Sequence, residues 1–225
     1  MDEFAEKYEK YIHLPFTIWS HPKMVELEML KKLKRVGLTE VIMGIQSGSE
    51  RVRREVFHRY ETQEDILRAI SAIQEAGVFW GSFDLMLQHP FETIEDLKES
   101  YRLVQKFPGR YELQLHGLNF LPGTDIVDMA IQQGCCTPAE LDQIMYAPME
   151  EQFGAYWKRE VSQESQLWYE MIYCCSLPAS GAGCAGGRAA RRATPGKSMG
   201  RTGRRSAWPS SGIFGKKETW CSGGL

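Results

Sequence analysis

Short apolar runs alternate with amphipathic segments along the first 175 residues, the pattern of repeated β/α units. His13 to Trp19 reads as a strand. Pro22 suits the first turn of a helix, where its missing N–H costs nothing, and Met24, Leu27, Leu30, Leu33 and Val36 follow at three-residue spacing as one buried face. Gly37 supplies the stop. Thr39 to Ile45 is a second strand, after which Ser49 is placed to cap a short helix carrying Val52 and Val56. Thr62 caps a longer helix that buries Ile66, Ala69, Ile70 and Ile73 and ends at Gly77. Val78 to Leu87 is a third strand. Thr93 then caps a helix with Leu97, Tyr101 and Val104 inward, and Tyr111 to Phe120 is the fourth strand. Two or three helices are expected between Asp125 and about Tyr173. Intervening helices imply parallel strands. Such units build either an open doubly wound sheet or part of a barrel, and periodicity does not choose between them.

From Ser176 the pattern stops. SLPASGAGCAGGRAARRATPGKSMGRTGRRS is rich in Gly, Ala, Arg, Ser and Pro and has no sustained period, a composition expected to be disordered. Residues 176–225 hold nine of the 27 Lys and Arg but one of the 29 acids, so a basic tail follows an acidic body, and the net charge of -2 conceals the division. So abrupt a change suggests a shifted reading frame or an artificial end rather than an evolved domain, with a basic nucleic-acid-binding tail as the alternative. The near-neutral balance argues against a nucleic-acid partner. No apolar stretch approaches a membrane span, and MDEFAEKYEK is charged and helical rather than a signal peptide. The six cysteines, at 135, 136, 174, 175, 184 and 221, include two adjacent pairs, a poor disulfide framework; reduced thiols in the cytoplasm are expected.

Enzymes of β/α type place their sites at the carboxy ends of strands, and three such loops carry polar chemistry. In MGIQSGSERVRREVFHR, Gln46 offers an amide, Gly48 permits close backbone approach, and a helix starting near Ser49 would direct N–H groups at a ligand. An ordinary glycine turn explains the same residues. In FDLMLQHPFETIEDL, Asp84 interrupts an apolar strand, where a carboxylate needs a partner. A ligand hydroxyl and a salt bridge with Arg59 are the two candidates. In LNFLPGTDI, Pro122 and Gly123 make a tight turn. His13, His21, His58, His89 and His116 show no zinc spacing, and His89 and His116 fall near strand ends as ordinary histidines or as lining of a substrate space.

In this order and spacing, QSGSER, then D-x5-P-x-E-T-x-E-D-L, then F-x-P-G-T resemble the later strands of radical S-adenosylmethionine (SAM) enzymes, in particular those that also carry a cobalamin (B12)-binding domain. HPKMVELEMLKKLKRVG resembles the preceding helix, and the likeness covers about residues 4–170. It implies a partial TIM-like (β/α) barrel, later strands only, over residues 1–134, with a helical segment at 135–175 and the tail at 176–225. It implies SAM as ligand, held by Gln46, Arg59 and Asp84, with Ser47, Ser49 and Glu50 as second-rank candidates from the same loop. The family's C-x3-C-x2-C loop, whose thiolates hold a [4Fe–4S] cluster, does not occur in this sequence, nor does the Gly-Gly-Glu-type segment. Gln88 and Phe91 stand where many relatives have glycines. The resemblance therefore implies a fragment, inactive alone, in which the cluster and any cobalamin belong to the full-length protein and the partner is the other half of the barrel; the substrate is not implied. A barrel module without catalysis, acting in protein interaction, is the alternative. An aldolase-type barrel would need a strand-borne lysine, whereas Lys7, Lys10, Lys23 and the Lys31–Lys34 group fall on predicted helices.

Overall fold

The structure, a computed structural model, describes residues 1–155 and 161–176, with the side chains of 153–155 and 176 left aside. Expectations for the tail beyond Ser176, including Cys184 and Cys221, lie outside the described residues. Helix α1 (Asp2–Tyr11) precedes β1 (Phe16–Ser20), α2 (Leu27–Arg35) and β2 (Leu38–Gln46). Then come α3 (Gln63–Glu75), β3 (Trp80–Leu87), α4 (Ile94–Val104) and β4 (Glu112–Gly117). Four helices follow among the described residues, where the sequence pattern predicts two or three: α5 (Asp125–Gln132), α6 (Pro138–Met145), α7 (Met149–Ala155) and α8 (Gln163–Ser176).

The four strands are all parallel and lie in chain order, β1-β2-β3-β4. A doubly wound sheet reverses its strand order at a switch point; this one does not. It is a section of barrel wall, with helices alternating along it.

Strand period sorts the side chains to two unlike faces. Val41, Met43 and Ile45 of β2, Phe83, Leu85 and Leu87 of β3, and Leu113 of β4 are buried in one cluster with Leu30 and Leu33 of α2, Ile66, Ile70 and Ile73 of α3, and Leu97, Leu103 and Val104 of α4. Helix α8 joins that cluster through Tyr169 and Ile172, packing on α4 and β4. The alternate positions form the opposite face, called here the open face: Thr17 and Trp19, Glu40, Ile42 and Gly44, Ser82, Asp84 and Met86, and Gln114 and His116, paired across the register. Most of these are half-buried, and Trp19 is 78% exposed. A second cluster joins Val52, Val56 and Phe91 from the loops after β2 and β3 to Leu118, Phe120, Val127, Ala130 and Leu141.

Boundaries move for local reasons. His13 has φ 51 and Pro15 lacks an N–H, so β1 starts at Phe16. Pro22 opens a 3-10 turn, Pro22–Met24, and Val25 is extended; Val25 is thereby buried and Met24 exposed, against the three-residue pattern. Leu118 and Phe120 leave β4 to enter the second cluster. Thr62 and Thr93 cap as expected, each in a reciprocal capping box with Asp65 or Asp96.

Candidate functional site at the carboxy ends of β2 and β3

Gly44 of β2 lies beside Asp84 of β3 on the open face. Past Gly44 the β2–β3 register slips by a residue, and Gln46 adopts φ 69. A left-handed backbone at a residue other than glycine costs about 1–3 kcal/mol and calls for a cause. Its consequence is that the Gln46 amide folds back over Gly44. A Cβ on Gly44 would sit 2.5 Å from Gln46 Nε2, so the amide could not keep this position over any other residue, and 3.4 Å from Arg59 Nη1, an ordinary contact. Gln46 Oε1 and Asp84 Oδ1 are both buried without a hydrogen-bond partner, which is uncommon in a folded interior.

Arg59 does not pair with Asp84, so the salt bridge weighed from the sequence is absent. Its Nε donates to Glu61 Oε1 at 2.6 Å and its Nη2 to the Gly44 carbonyl at 2.7 Å. Asp84 instead faces His116 of β4, with Oδ1 and Nε2 3.7 Å apart, and this carboxylate raises the His116 pKa above its ordinary value against the opposing effect of burial. Gln46, Arg59 and Asp84 are thus brought together around Gly44.

The rest of the QSGSER loop has another task. Ser49 opens the short helix that carries Val52 and Val56 with its carbonyl, which accepts from the Arg53 N–H at 3.1 Å, and not with its side chain: Oγ donates to Asp96 Oδ1 of α4 at 2.6 Å, and the helix is π-helical over Val52–Val56. Ser47 Oγ accepts from the Ser49 N–H at 3.1 Å and lies 3.4 Å from Ser100 Oγ. The close approach at Gly48 is to α4, where a Cβ would lie 2.3 Å from Ser100 Cα, and the Gly48 N–H donates to Ser100 Oγ at 2.9 Å. Asp96 also accepts from Arg51 and from the Thr93 hydroxyl and N–H. Burial pushes the Asp96 carboxyl up, but the bonds from Arg51, Ser49 and Thr93 outweigh it and hold its pKa at about 2. Glu50 points outward to Arg54. Ser47, Gly48 and Ser49 therefore clasp the β2 loop to α4, and they are committed within the protein.

Behind the loop, Arg53 is fully buried, with Nη1 on the Ser47 carbonyl at 2.8 Å and Nε on the Glu61 carbonyl at 3.2 Å. The Glu61 side chain is fully buried; besides Arg59 it meets His21 Nε2, 3.3 Å from Oε2. After β3, Glu92 Oε1 accepts from Tyr169 Oη of α8 at 2.5 Å and from the Gln88 N–H at 2.8 Å, and Oε2 lies 3.7 Å from His89 Nε2. Burial raises the Glu92 pKa to about 7 in spite of these bonds. Sequence reading passed over Glu61, Asp96 and Glu92. Asp96 had a signal, the spacing T-x-x-D of a capping box; a carboxylate two residues from Arg59, or one that meets α8 across 77 positions, leaves none.

Cys135 and Cys136 pack against the second cluster, Cys175 against the main one, and Cys174 is exposed. Among the described residues no three His, Cys, Asp or Glu side chains gather as a metal site, and no described helix is long and apolar enough to cross a membrane.

The profile of the Radical SAM superfamily matches residues 1–104. Among solved structures the chain is similar to the radical SAM methyltransferase TsrM from Kitasatospora setae, determined with tryptophan substrate and a SAM analog. The TM-score is 0.52 at 14% identity, over 79% of this chain and 40% of TsrM. Another structure of the same protein holds cobalamin and a [4Fe–4S] cluster. Coproporphyrinogen III oxidase (HemN) from Escherichia coli, described as a radical SAM enzyme, matches with a TM-score of 0.44 and 23% identity, over 70% of this chain and 32% of HemN. The chain thus spans less than half of either relative. A search of curated proteins gives no match.

Proposed function

We propose that the chain is a member of the radical SAM superfamily, whose profile matches residues 1–104, and that the open face around Gly44 is a SAM-binding wall of its barrel. The observation that carries this reading is a pair of buried acceptors that no hydrogen bond satisfies, Gln46 Oε1 and Asp84 Oδ1, the latter facing only His116 at 3.7 Å, beside a glycine over which the Gln46 amide folds. A carboxylate and an amide oxygen accept from ribose hydroxyls or an adenine amine. Arg59, fixed by Glu61 and the Gly44 carbonyl, presents its remaining N–H groups to a carboxylate. Bound there, SAM would supply a sulfonium-activated methyl or adenosyl group. The protein's part is to orient it: Asp84 and Gln46 at the nucleoside, Arg59 at the amino-acid end, and the apolar second cluster beside the loops to limit water.

The [4Fe–4S] cluster that the family implies does not fit this chain's residues. The sequence has no C-x3-C-x2-C, and the described cysteines sit in adjacent pairs in the helical region beyond β4. The thiolates would come from a segment outside this sequence, which completes the barrel beside the sheet and whose absence leaves the chain inactive. Cobalamin, which rests on the resemblance to the B12-linked branch, would be bound outside this sheet as well. A barrel module without catalysis is favoured by the same missing thiolates and differs in one respect: it needs no SAM.

Calorimetric titration of the chain with SAM tests the reading. Saturable binding is expected, weakened by Asp84→Ala about ten- to a hundred-fold, the cost of one charged hydrogen bond. Absence of binding, or equal affinity in the variant, contradicts it.

A further inference from the structure

We infer that Glu61 is a positioning residue for Arg59, and that it sets the site's preference for a ligand bearing a carboxylate over one that ends at the nucleoside; this rests on the SAM-binding reading above. The Glu61 carboxylate is fully buried and lies directly before α3, where no local pattern demands an acid. Its backbone carbonyl is fixed by Arg53, which is itself buried and anchored to the Ser47 carbonyl. So held, Oε1 takes the Arg59 Nε–H at 2.6 Å, while Oε2 lies 3.3 Å from His21 Nε2 at the end of β1. A guanidinium is a rigid planar fork, so fixing Nε to Glu61 and Nη2 to the Gly44 carbonyl fixes the direction of Nη1 as well. Nη1 is left over Gly44, beside the folded-back Gln46 amide, on the face where Asp84 also lies.

The charges account for the selectivity. Arg59 and Glu61 form a neutral pair before any ligand arrives, and His21 stands on the far side of Glu61. An anion at Nη1 is therefore recognised by directed N–H groups rather than by bulk positive potential, and geometry decides the affinity. Loss of the Glu61 charge frees the fork to rotate. A carboxylate ligand loses its aligned donor, whereas a ligand that meets only Gln46 and Asp84 is unaffected.

The experiment is a double-mutant cycle on the full chain with two probes, SAM and 5′-methylthioadenosine, the latter lacking the amino-acid end. Glu61→Gln keeps the volume and removes the charge. It is expected to weaken SAM roughly ten-fold, the loss of about one aligned bond, and to leave 5′-methylthioadenosine unchanged, which also shows that the variant is folded. In an Arg59→Lys background Glu61→Gln is expected to add nothing, because the two act as one unit. In nitrogen-15 spectra the Arg59 Nε–H should be downfield and slow to exchange in the unmodified chain and lose both properties in Glu61→Gln. Equal weakening of both probes, additive losses in the cycle, or an unmoved Arg59 resonance overturns the inference while the SAM site stands. A chain that binds neither probe overturns the SAM-binding reading and the selectivity with it.

Discussion

Glu92 offers a sharp test of how this fold is held, because its carboxylate is buried between the loop after β3 and the last described helix. With a pKa of about 7 in the folded chain against an ordinary 4.5, it binds its proton more tightly folded than unfolded. Its favourable contribution is complete below pH 4.5 and is lost as the pH rises through about 7. At 1.36 kcal/mol for each tenfold difference in proton affinity, the loss amounts to about 3 kcal/mol. Glu92→Gln, which stays neutral and still accepts from Tyr169 and the Gln88 N–H, should remove this dependence. Urea unfolding from pH 4.5 to 8, followed for both proteins, isolates the effect, since groups that do not touch Glu92, such as His116, cancel in the difference. Relative to the unmodified chain, the variant should gain about 3 kcal/mol between the two ends of the range. A difference that stays flat across it would refute the reasoning, and would mean that Glu92 remains charged through its bonds to Tyr169 and Gln88.

Asp96→Ala should cost about 3 kcal/mol or more in urea unfolding at pH 7, because it strips several charge-assisted bonds from the β2 loop and the α4 cap at once. With its pKa lowered to about 2, the contribution of Asp96 should be present above pH 4 and fade as the pH falls through 2. Gly48→Ala should destabilise by more than about 2 kcal/mol, since its Cβ meets the α4 backbone. Gly123→Ala, with φ 77 but open space around it, should cost about 1 kcal/mol in the same assay. Anaerobic reconstitution of the chain with iron and sulfide should leave no stoichiometric iron after desalting, and four irons per chain would refute the reading of its cysteines.

The strands, the buried helix faces and the caps at Thr62 and Thr93 were legible because each has a local signature, either a period or a three-residue spacing. Periodicity left open the choice between an open sheet and a barrel wall, which turns on strand order. Gln46, Arg59 and Asp84 were singled out through the order of the loops, and all three lie beside Gly44. The roles of Ser47, Gly48 and Ser49 were not legible: the helix that Gly48 touches lies 52 residues away, and a glycine needed for a ligand reads the same as one needed for a helix. Met24 was misplaced because one proline set a 3-10 turn and shifted the helix phase. Glu61 and Glu92 are buried acids whose partners are fixed by tertiary packing, which a linear pattern does not record.

Gln46, Arg59 and Asp84 are proposed to form one SAM-binding surface around Gly44. The most direct test follows three signals in one NMR titration of the full chain with SAM: the Gln46 side-chain amide, the Arg59 Nε–H and the Asp84 carboxyl carbon. All three should shift together along one saturation curve, with the outward-facing Glu50 carboxyl unmoved. Millimolar SAM that leaves all three in place, or shifts Glu50 equally, would contradict the account.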